Sequence, residues 1–231
     1  MKDLSIIIKG GNKDKIYRTL YSIMCQSADW GKLKIIVHEA SVPKSIKNIP
    51  LDYTVSETYR ITTPFVMYFE AGDCFSANDS LWFIQRAIKE NPEACTISTE
   101  FIEEAVNGNQ ASIQQFPNNT DAPYGKILSK RAAGKAGAEN CEPVFVKQVT
   151  YIKRTEIEQK AIASPKLSIV IPYFKDDEKL LFRALASIET QSSINFHNIE
   201  VLVCIDTKGN TKVKRLIDKN HFSFKIDFFE R

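Results

Sequence analysis

The sequence is poor in the residues that mark specialised classes of protein. Glycine and proline number nine each among 231 residues, which excludes collagenous and low-complexity chains. The five cysteines, Cys25, Cys74, Cys95, Cys141 and Cys204, are scattered and never spaced as Cys-x-x-Cys. Neither a zinc site nor a disulfide framework is expected of them; they read as small buried hydrophobes in a reducing cytoplasm. No apolar run reaches the ~18 residues of a membrane span, and the run after Met1-Lys2-Asp3 is too short for a signal peptide. Charge of one sign is lacking too. A net charge of +3 gives no electrostatic ground for a nucleic-acid partner, and no amphipathic basic helix argues for more than peripheral membrane contact. What is present, 43% hydrophobic and 26% charged residues, is the composition of an ordinary globular chain.

An internal repeat organises that chain. Leu4-Ser5-Ile6-Ile7-Ile8 recurs as Leu167-Ser168-Ile169-Val170-Ile171, 163 positions on. Arg18, Leu20, Ser22, Ile23 and Gln26 recur as Arg183, Leu185, Ser187, Ile188 and Gln191, 165 positions on. Lys34-Ile35-Ile36-Val37 then matches Glu200-Val201-Leu202-Val203 at an offset of 166. Three blocks in one order, with so little slippage, indicate two copies of one supersecondary unit.

The unit can be read from its side chains. Leu4 to Ile8 is a short continuous apolar run, the mark of a strand buried on both faces. From about Asp14 to Gln26, Ile16, Leu20, Ile23 and Met24 fall at helical spacing, with Asp14 where the helix dipole favours a carboxylate. Leu33 to Val37 is a second buried strand, so strand, helix and strand form a parallel crossover. In the second copy Asp176, Asp177 and Glu178 charge the helix start, and Leu180, Leu181, Ala184, Leu185 and Ile188 form its buried stripe. Between the copies, Phe65 to Phe69 reads as a central strand ending at Glu70-Ala71-Gly72-Asp73. A helix from about Asn78 to Glu90 and a strand from Ala94 to Ser98 follow. The polar stretch 103–119 reads as loop, and 153–166 as a helix-prone connector ending at Ser164-Pro165. A helix near Thr211 to Lys219 and a strand from Phe222 to Phe228 complete the pattern.

These blocks together resemble the family 2 glycosyltransferases, which have the GT-A nucleotide-sugar-binding fold. The matching residues are Ile8-Lys9-Gly10-Gly11-Asn12, Ser22-Ile23-Met24-Cys25-Gln26, Val37-His38-Glu39-Ala40-Ser41 and Phe69-Glu70-Ala71-Gly72-Asp73. In the second copy they are Ile171-Pro172-Tyr173-Phe174-Lys175, Ser187-Ile188-Glu189-Thr190-Gln191 and Cys204-Ile205-Asp206-Thr207. Pro123-Tyr124-Gly125-Lys126 echoes a segment that the family carries ahead of its acceptor region. The resemblance covers nearly all of residues 4–98 and again 166–228. It implies an α/β fold, Rossmann-like, with a mostly parallel open sheet flanked by helices and a partial second α/β unit after it. A GT-A domain is expected over residues 1–160, and the amino-terminal part of a second over 165–231, with a continuation beyond Arg231.

The implied chemistry is transfer of a sugar from a nucleotide-diphosphate donor, a UDP-sugar in the first instance, to a glycan or other hydroxyl acceptor, with inversion. The resemblance places Asn12, Glu39, Gly72 and, in the second copy, Asp206 at the nucleotide. A carboxylate such as Glu39 can accept from a ribose hydroxyl or a base N–H. Asp73 and Glu70 are the candidate ligands for Mg²⁺ or Mn²⁺, hard cations that take carboxylate and phosphate oxygens and act as Lewis acids on a leaving diphosphate. Gly72 stands where the family places a further acid. Asn140 falls where the family has its basic Asp, and an amide has no useful basicity, so Glu139 and Glu142 are the remaining candidates for general base. Lys9-Gly10-Gly11 replaces Pro-x-Tyr, and Lys9 at the strand end can meet a phosphate.

Two other readings compete. In one the first domain is catalytically inactive and scaffolds a downstream active domain. In the other the chain is a generic nucleotide-binding regulatory module, which the absence of Gly-x-Gly-x-x-Gly and Gly-x-x-x-x-Gly-Lys loops disfavours.

Overall fold

The computed structural model describes residues 2–38, 51–104, 111–114, 125–133, 143–154, 165–174, 178–191, 194–205, 211–218 and 222–230. In chain order these form β1 (Leu4–Lys9), α1 (Lys13–Met24), β2 (Leu33–His38), β3 (Thr54–Val55), β4 (Phe65–Glu70), β5 (Cys74–Phe75), α2 (Ser80–Glu90), β6 (Thr96–Glu104), β7 (Ala111–Gln114), β8 (Lys126–Ser129), α3 (Lys130–Ala133) and β9 (Val144–Lys153). β10 (Leu167–Tyr173), α4 (Glu178–Glu189), β11 (Ile199–Ile205), α5 (Thr211–Asp218) and β12 (Lys225–Glu230) follow.

The first twelve elements build one sheet in the order β3-β2-β1-β4-β8-β6-β9-β5, with β7 on β6; the rest carry a second sheet, β10-β11-β12. The long pairs β1–β2, β1–β4, β6–β9, β10–β11 and β11–β12 are parallel. The antiparallel pairs all involve the short strands β5, β7 or β8. A mostly parallel open α/β sheet is therefore what the chain forms. The strand at 111–114 corrects the expectation of loop over 103–119: β6 runs on to Glu104 and its partner returns through Ala111–Gln114.

β1 shows why apolar runs without polar alternation make these central strands. Leu4, Ile6 and Ile8 enter the core beneath α1 and α2, while Ile7 on the opposite face is equally inaccessible. Both faces are covered, so both are apolar except at Ser5, whose buried hydroxyl pairs with Thr63 Oγ1 at 2.7 Å. A second core lies between the second sheet and α4, through Leu181, Leu185, Val201, Val203 and Ile205. α4 serves both cores. Leu181 and Leu185 face the second sheet, and Phe182 and Ala186, one position on, join the first core. Leu180, expected on the buried stripe, is exposed instead, because the two cores take the positions after it. There Phe182 meets Tyr21 of α1 edge-on at 5.4 Å, and Phe222 stacks on Tyr21 at 5.3 Å.

Local hydrogen bonds recur between the two sheets at the offsets of the repeated blocks. Asp29 caps a 3-10 turn by accepting from Gly31 N–H at 3.1 Å, and Asn195 does so from His197 N–H at 3.0 Å. Asp3 N–H donates to Lys32 O at 2.8 Å, as Lys166 N–H does to Asn198 O. Gln26 and Gln191 each donate their side-chain amide to the carbonyl four residues back, Ser22 and Ser187.

Cys95 is disulfide-bonded, a correction to the expectation of five reduced thiols, whereas Cys25, Cys74 and Cys204 are free. Among the described residues no helix is long and apolar enough to cross a membrane.

Candidate functional site

The order β3-β2-β1-β4 means that the chain leaves β1 toward β2 on one side and returns to β4 on the other. At such a reversal the loops leaving adjacent strands part, and open α/β sheets bind ligands in the crevice so formed, at the carboxyl ends of the strands. Here the two loops are Gly10-Gly11-Asn12 after β1 and Ala71-Gly72-Asp73 after β4. Ala71 N–H donates to Lys9 O at 2.9 Å and holds them side by side. Gly11 has φ +87°, and a Cβ there would stand 2.5 Å from Ala71 Cβ; only glycine fits. Gly72, at φ +110°, lies against the Lys15 stem, 3.6 Å from where its Cβ would be.

Four sequence-selected residues reach this strand end. Asn12 caps α1, its Oδ1 accepting from Lys15 N–H at 3.0 Å, which directs the helix N-terminus at the switch point. Glu70 is exposed and lies in register with Lys9, which pairs with His38 on its other side. Gly72 makes the turn, and its N–H donates to Thr19 Oγ1 at 2.9 Å. Asp73 points the other way. Glu39, Glu139, Glu142 and Asp206 lie outside the described residues.

Lys9, His38 and Tyr68 share one face of the strand ends. The Lys9 ammonium sits 4.2 Å from the Tyr68 ring centroid, a cation–π contact. His38 donates from Nε2 to Glu57 O at 2.9 Å, and its ring meets Tyr59 edge-on at 4.8 Å. Burial, and then the neighbouring Tyr59 hydroxyl, push the Tyr68 phenol up to about 12. Tyr68 is therefore a neutral donor at physiological pH. A cleft of about 660 Å³ lined by Asp3, Trp82 and Arg86 lies at the opposite, amino end of β1; it is remote from these groups and from the reversal in strand order.

Asp73 is only 2% exposed. Its Oδ2 accepts from the Tyr151 hydroxyl, and its Oδ1 from Arg154 N–H at 2.9 Å. Its own carbonyl accepts from Thr19 Oγ1 at 2.8 Å. Burial raises the carboxyl from 3.8 to about 6, against the lowering effect of the Tyr151 and Arg154 bonds, and the nearby Glu70 charge adds to the rise. Mg²⁺ or Mn²⁺ keeps much of its own hydration and asks for open carboxylate oxygens. Asp73, enclosed and with both oxygens engaged, offers none, and among the described residues no three His, Cys, Asp or Glu side chains are grouped to hold a metal. The site as the described residues form it does not fit the cation.

Sequence reasoning missed Tyr151 and Arg154. The signal was there, since Val144 to Lys153 is rich in β-branched and aromatic residues, but charges from Lys153 onward draw the eye to a helical connector.

Likenesses to solved chains are modest. The chain is similar to S. aureus TarS 1–349 in complex with UDP, at 14% identity and a TM-score of 0.48, over 66% of this chain and 60% of that one. For TarS 1–349 in complex with UDP-GlcNAc the values are 16% and 0.48, over 72% and 63%. The match to a longer TarS chain has a TM-score of 0.43 and covers 37% of it. The chain thus spans about three-fifths of the TarS 1–349 chains it matches. No family model matches it, and no curated protein does.

Proposed function

We propose that the chain is part of a glycosyltransferase that moves a sugar from a nucleotide-diphosphate donor, a UDP-sugar first among them, to a hydroxyl of a glycan acceptor. The observation that carries this is the switch point between β1 and β4, where a glycine turn, a lysine and a helix N-terminus meet at the strand ends. A nucleoside diphosphate needs that combination: close backbone approach, positive charge and oriented N–H groups. The motif order that resembles family 2 enzymes supports the same assignment. Hydrogen bonds recurring at the repeat offsets support a GT-A domain over residues 1–160 and the amino-terminal part of a second over 165–231.

In this proposal Lys9 and the start of α1 meet the diphosphate, and Tyr59 and Tyr68 supply aromatic faces and hydroxyl donors beside it. Glu39 accepts from ribose or base, Glu139 or Glu142 takes the acceptor proton, and Asp206 repeats the role of Glu39 in the second copy. Attack by the acceptor hydroxyl on the anomeric carbon expels the nucleoside diphosphate in one displacement and inverts the centre. No step is routed through a divalent cation, because Asp73 is enclosed.

That enclosure also favours a second reading, in which the first copy is catalytically silent, binds nucleotide weakly or not at all, and scaffolds an active unit downstream. Calorimetric titration with UDP, GDP, TDP and ATP separates the cases. The proposal expects saturable UDP binding that Lys9→Ala weakens about tenfold, a hydrogen bond to a charged group being worth about 1.5–3 kcal/mol. Absence of any nucleoside-diphosphate binding defeats it, and preference for ATP points to a regulatory module. Binding without turnover of UDP-sugars selects the scaffold.

A further inference from the structure

The carboxylate that does not fit a cation has another task. Asp73 receives Arg154 N–H at 2.9 Å, and the guanidinium of the same Arg154 reaches to the carboxyl end of α4. There its NH2 group donates to Thr190 O at 2.6 Å and to Gln191 O. Tyr151, three residues earlier on β9, donates to the other oxygen of Asp73. Thr19 of α1 closes the circuit by donating to Asp73 O at 2.8 Å. Asp73 thus ties the β4 turn to the end of β9 through its carboxylate and to α1 through its main-chain carbonyl, and so places an arginine over the last carbonyls of a helix belonging to the second sheet.

The repeat explains why α4 needs this. The last carbonyls of a helix have no partner within it. At the end of α1, Gln26 O accepts from the Trp30 indole N–H at 3.2 Å. The residue in the place of Trp30, 166 positions on, is Phe196, which has no side-chain N–H to give. Gln191 O, in the place of Gln26 O, takes its donor from Arg154 instead. A cation at a helix C-terminus is favoured by the dipole as well.

We propose that Asp73, acting through Arg154, is a clasp that fixes the carboxyl end of α4 to the first sheet, and that this acid is a joint between the two sheets and holds no divalent cation. The clasp stands whether or not a nucleotide binds at the switch point, and its test uses none.

Hydrogen exchange on the full chain reads it directly. Thr190 N–H bonds Ala186 O and Gln191 N–H bonds Ile188 O, each at 3.1 Å, so fraying of α4 exposes both amides. Arg154→Ala is expected to speed their exchange about fivefold or more while leaving the β1 and β2 amides unchanged. Asp73→Ala is expected to do the same, and the double variant to add nothing further. Unchanged exchange at Thr190 and Gln191 in Arg154→Ala overturns the clasp, as does strict additivity of the two variants. Should Asp73→Ala not fold, Asp73→Asn serves in its place. Electron paramagnetic resonance of Mn²⁺ added to the full chain supplies the second readout. Equal free Mn²⁺ signals for wild type and Asp73→Asn are expected; uptake by wild type that Asp73→Asn abolishes overturns the joint.

Discussion

Arg18 of α1 and Glu189 of α4 lie 3.4 Å apart, NH2 to Oε1, with only 4% of the glutamate side chain exposed. Glu189 also accepts from Ser223 through N–H and Oγ, each at 2.7 Å. A second contact lies further along the crossing: Cys25, at the other end of α1, donates its thiol to the main-chain carbonyl of Arg183 at 3.8 Å, and Arg183 stands in the repeat where Arg18 does. α1 and α4 therefore cross antiparallel, with corresponding residues meeting near Tyr21 and Ala186, as in a self-complementary interface between two subunits.

Removing one member of such a pair leaves a buried charge without its partner. Glu189→Ala is expected to cost about 3 kcal/mol in urea denaturation, with the loss concentrated in the second sheet. Replacing Arg18 and Glu189 together by Met and Leu is expected to recover most of it. A cost below about 1 kcal/mol for Glu189→Ala would show that the pair is no more than a surface contact.

Asp73 makes stability depend on pH. Its carboxyl, raised by burial to about 6 from 3.8, is easier to protonate in the folded chain than in the unfolded one. Its contribution is therefore full below about pH 4 and is lost as pH climbs through about 6. Over that window wild type is expected to lose up to about 3 kcal/mol relative to Asp73→Asn, since each tenfold gain in proton affinity on folding is worth about 1.4 kcal/mol. Parallel stability profiles for the two proteins between about pH 4 and 7 contradict the assignment.

The cysteines differ in chemistry. Burial pushes the Cys25 thiol up to about 11, so little thiolate forms and the native protein should resist alkylation there. After denaturation without reductant, mass spectrometry is expected to find Cys25, Cys74 and Cys204 alkylated and Cys95 protected. Alkylation of Cys95 under those conditions would contradict its disulfide.

Much of the framework was legible because local pattern and burial agree. β1, β2, β4, α1, α4 and β11 are apolar runs or stripes whose period alone dictates strand or helix. β7 was not legible, since Ala111 to Gln114 is short and polar and becomes a strand only by pairing with β6. At the site, Asn12, Glu70 and Gly72 fall where strand ends place them. Asp73 was misleading for a physical reason. A strand end sets where a side chain starts, but what it faces is decided by β9, which arrives almost eighty residues later in sequence and carries Tyr151 and Arg154 to it. Spacing cannot report a partner brought by long-range pairing.

The switch point itself can be observed most directly by nuclear magnetic resonance of the ¹⁵N-labelled chain during titration with UDP. Saturable shifts confined to the amides of Lys9 to Asn12, His38, and Glu70 to Asp73 are predicted. An unperturbed spectrum at millimolar UDP, or shifts clustered instead around Trp82 and Arg86 at the far end of β1, would contradict a donor site between β1 and β4.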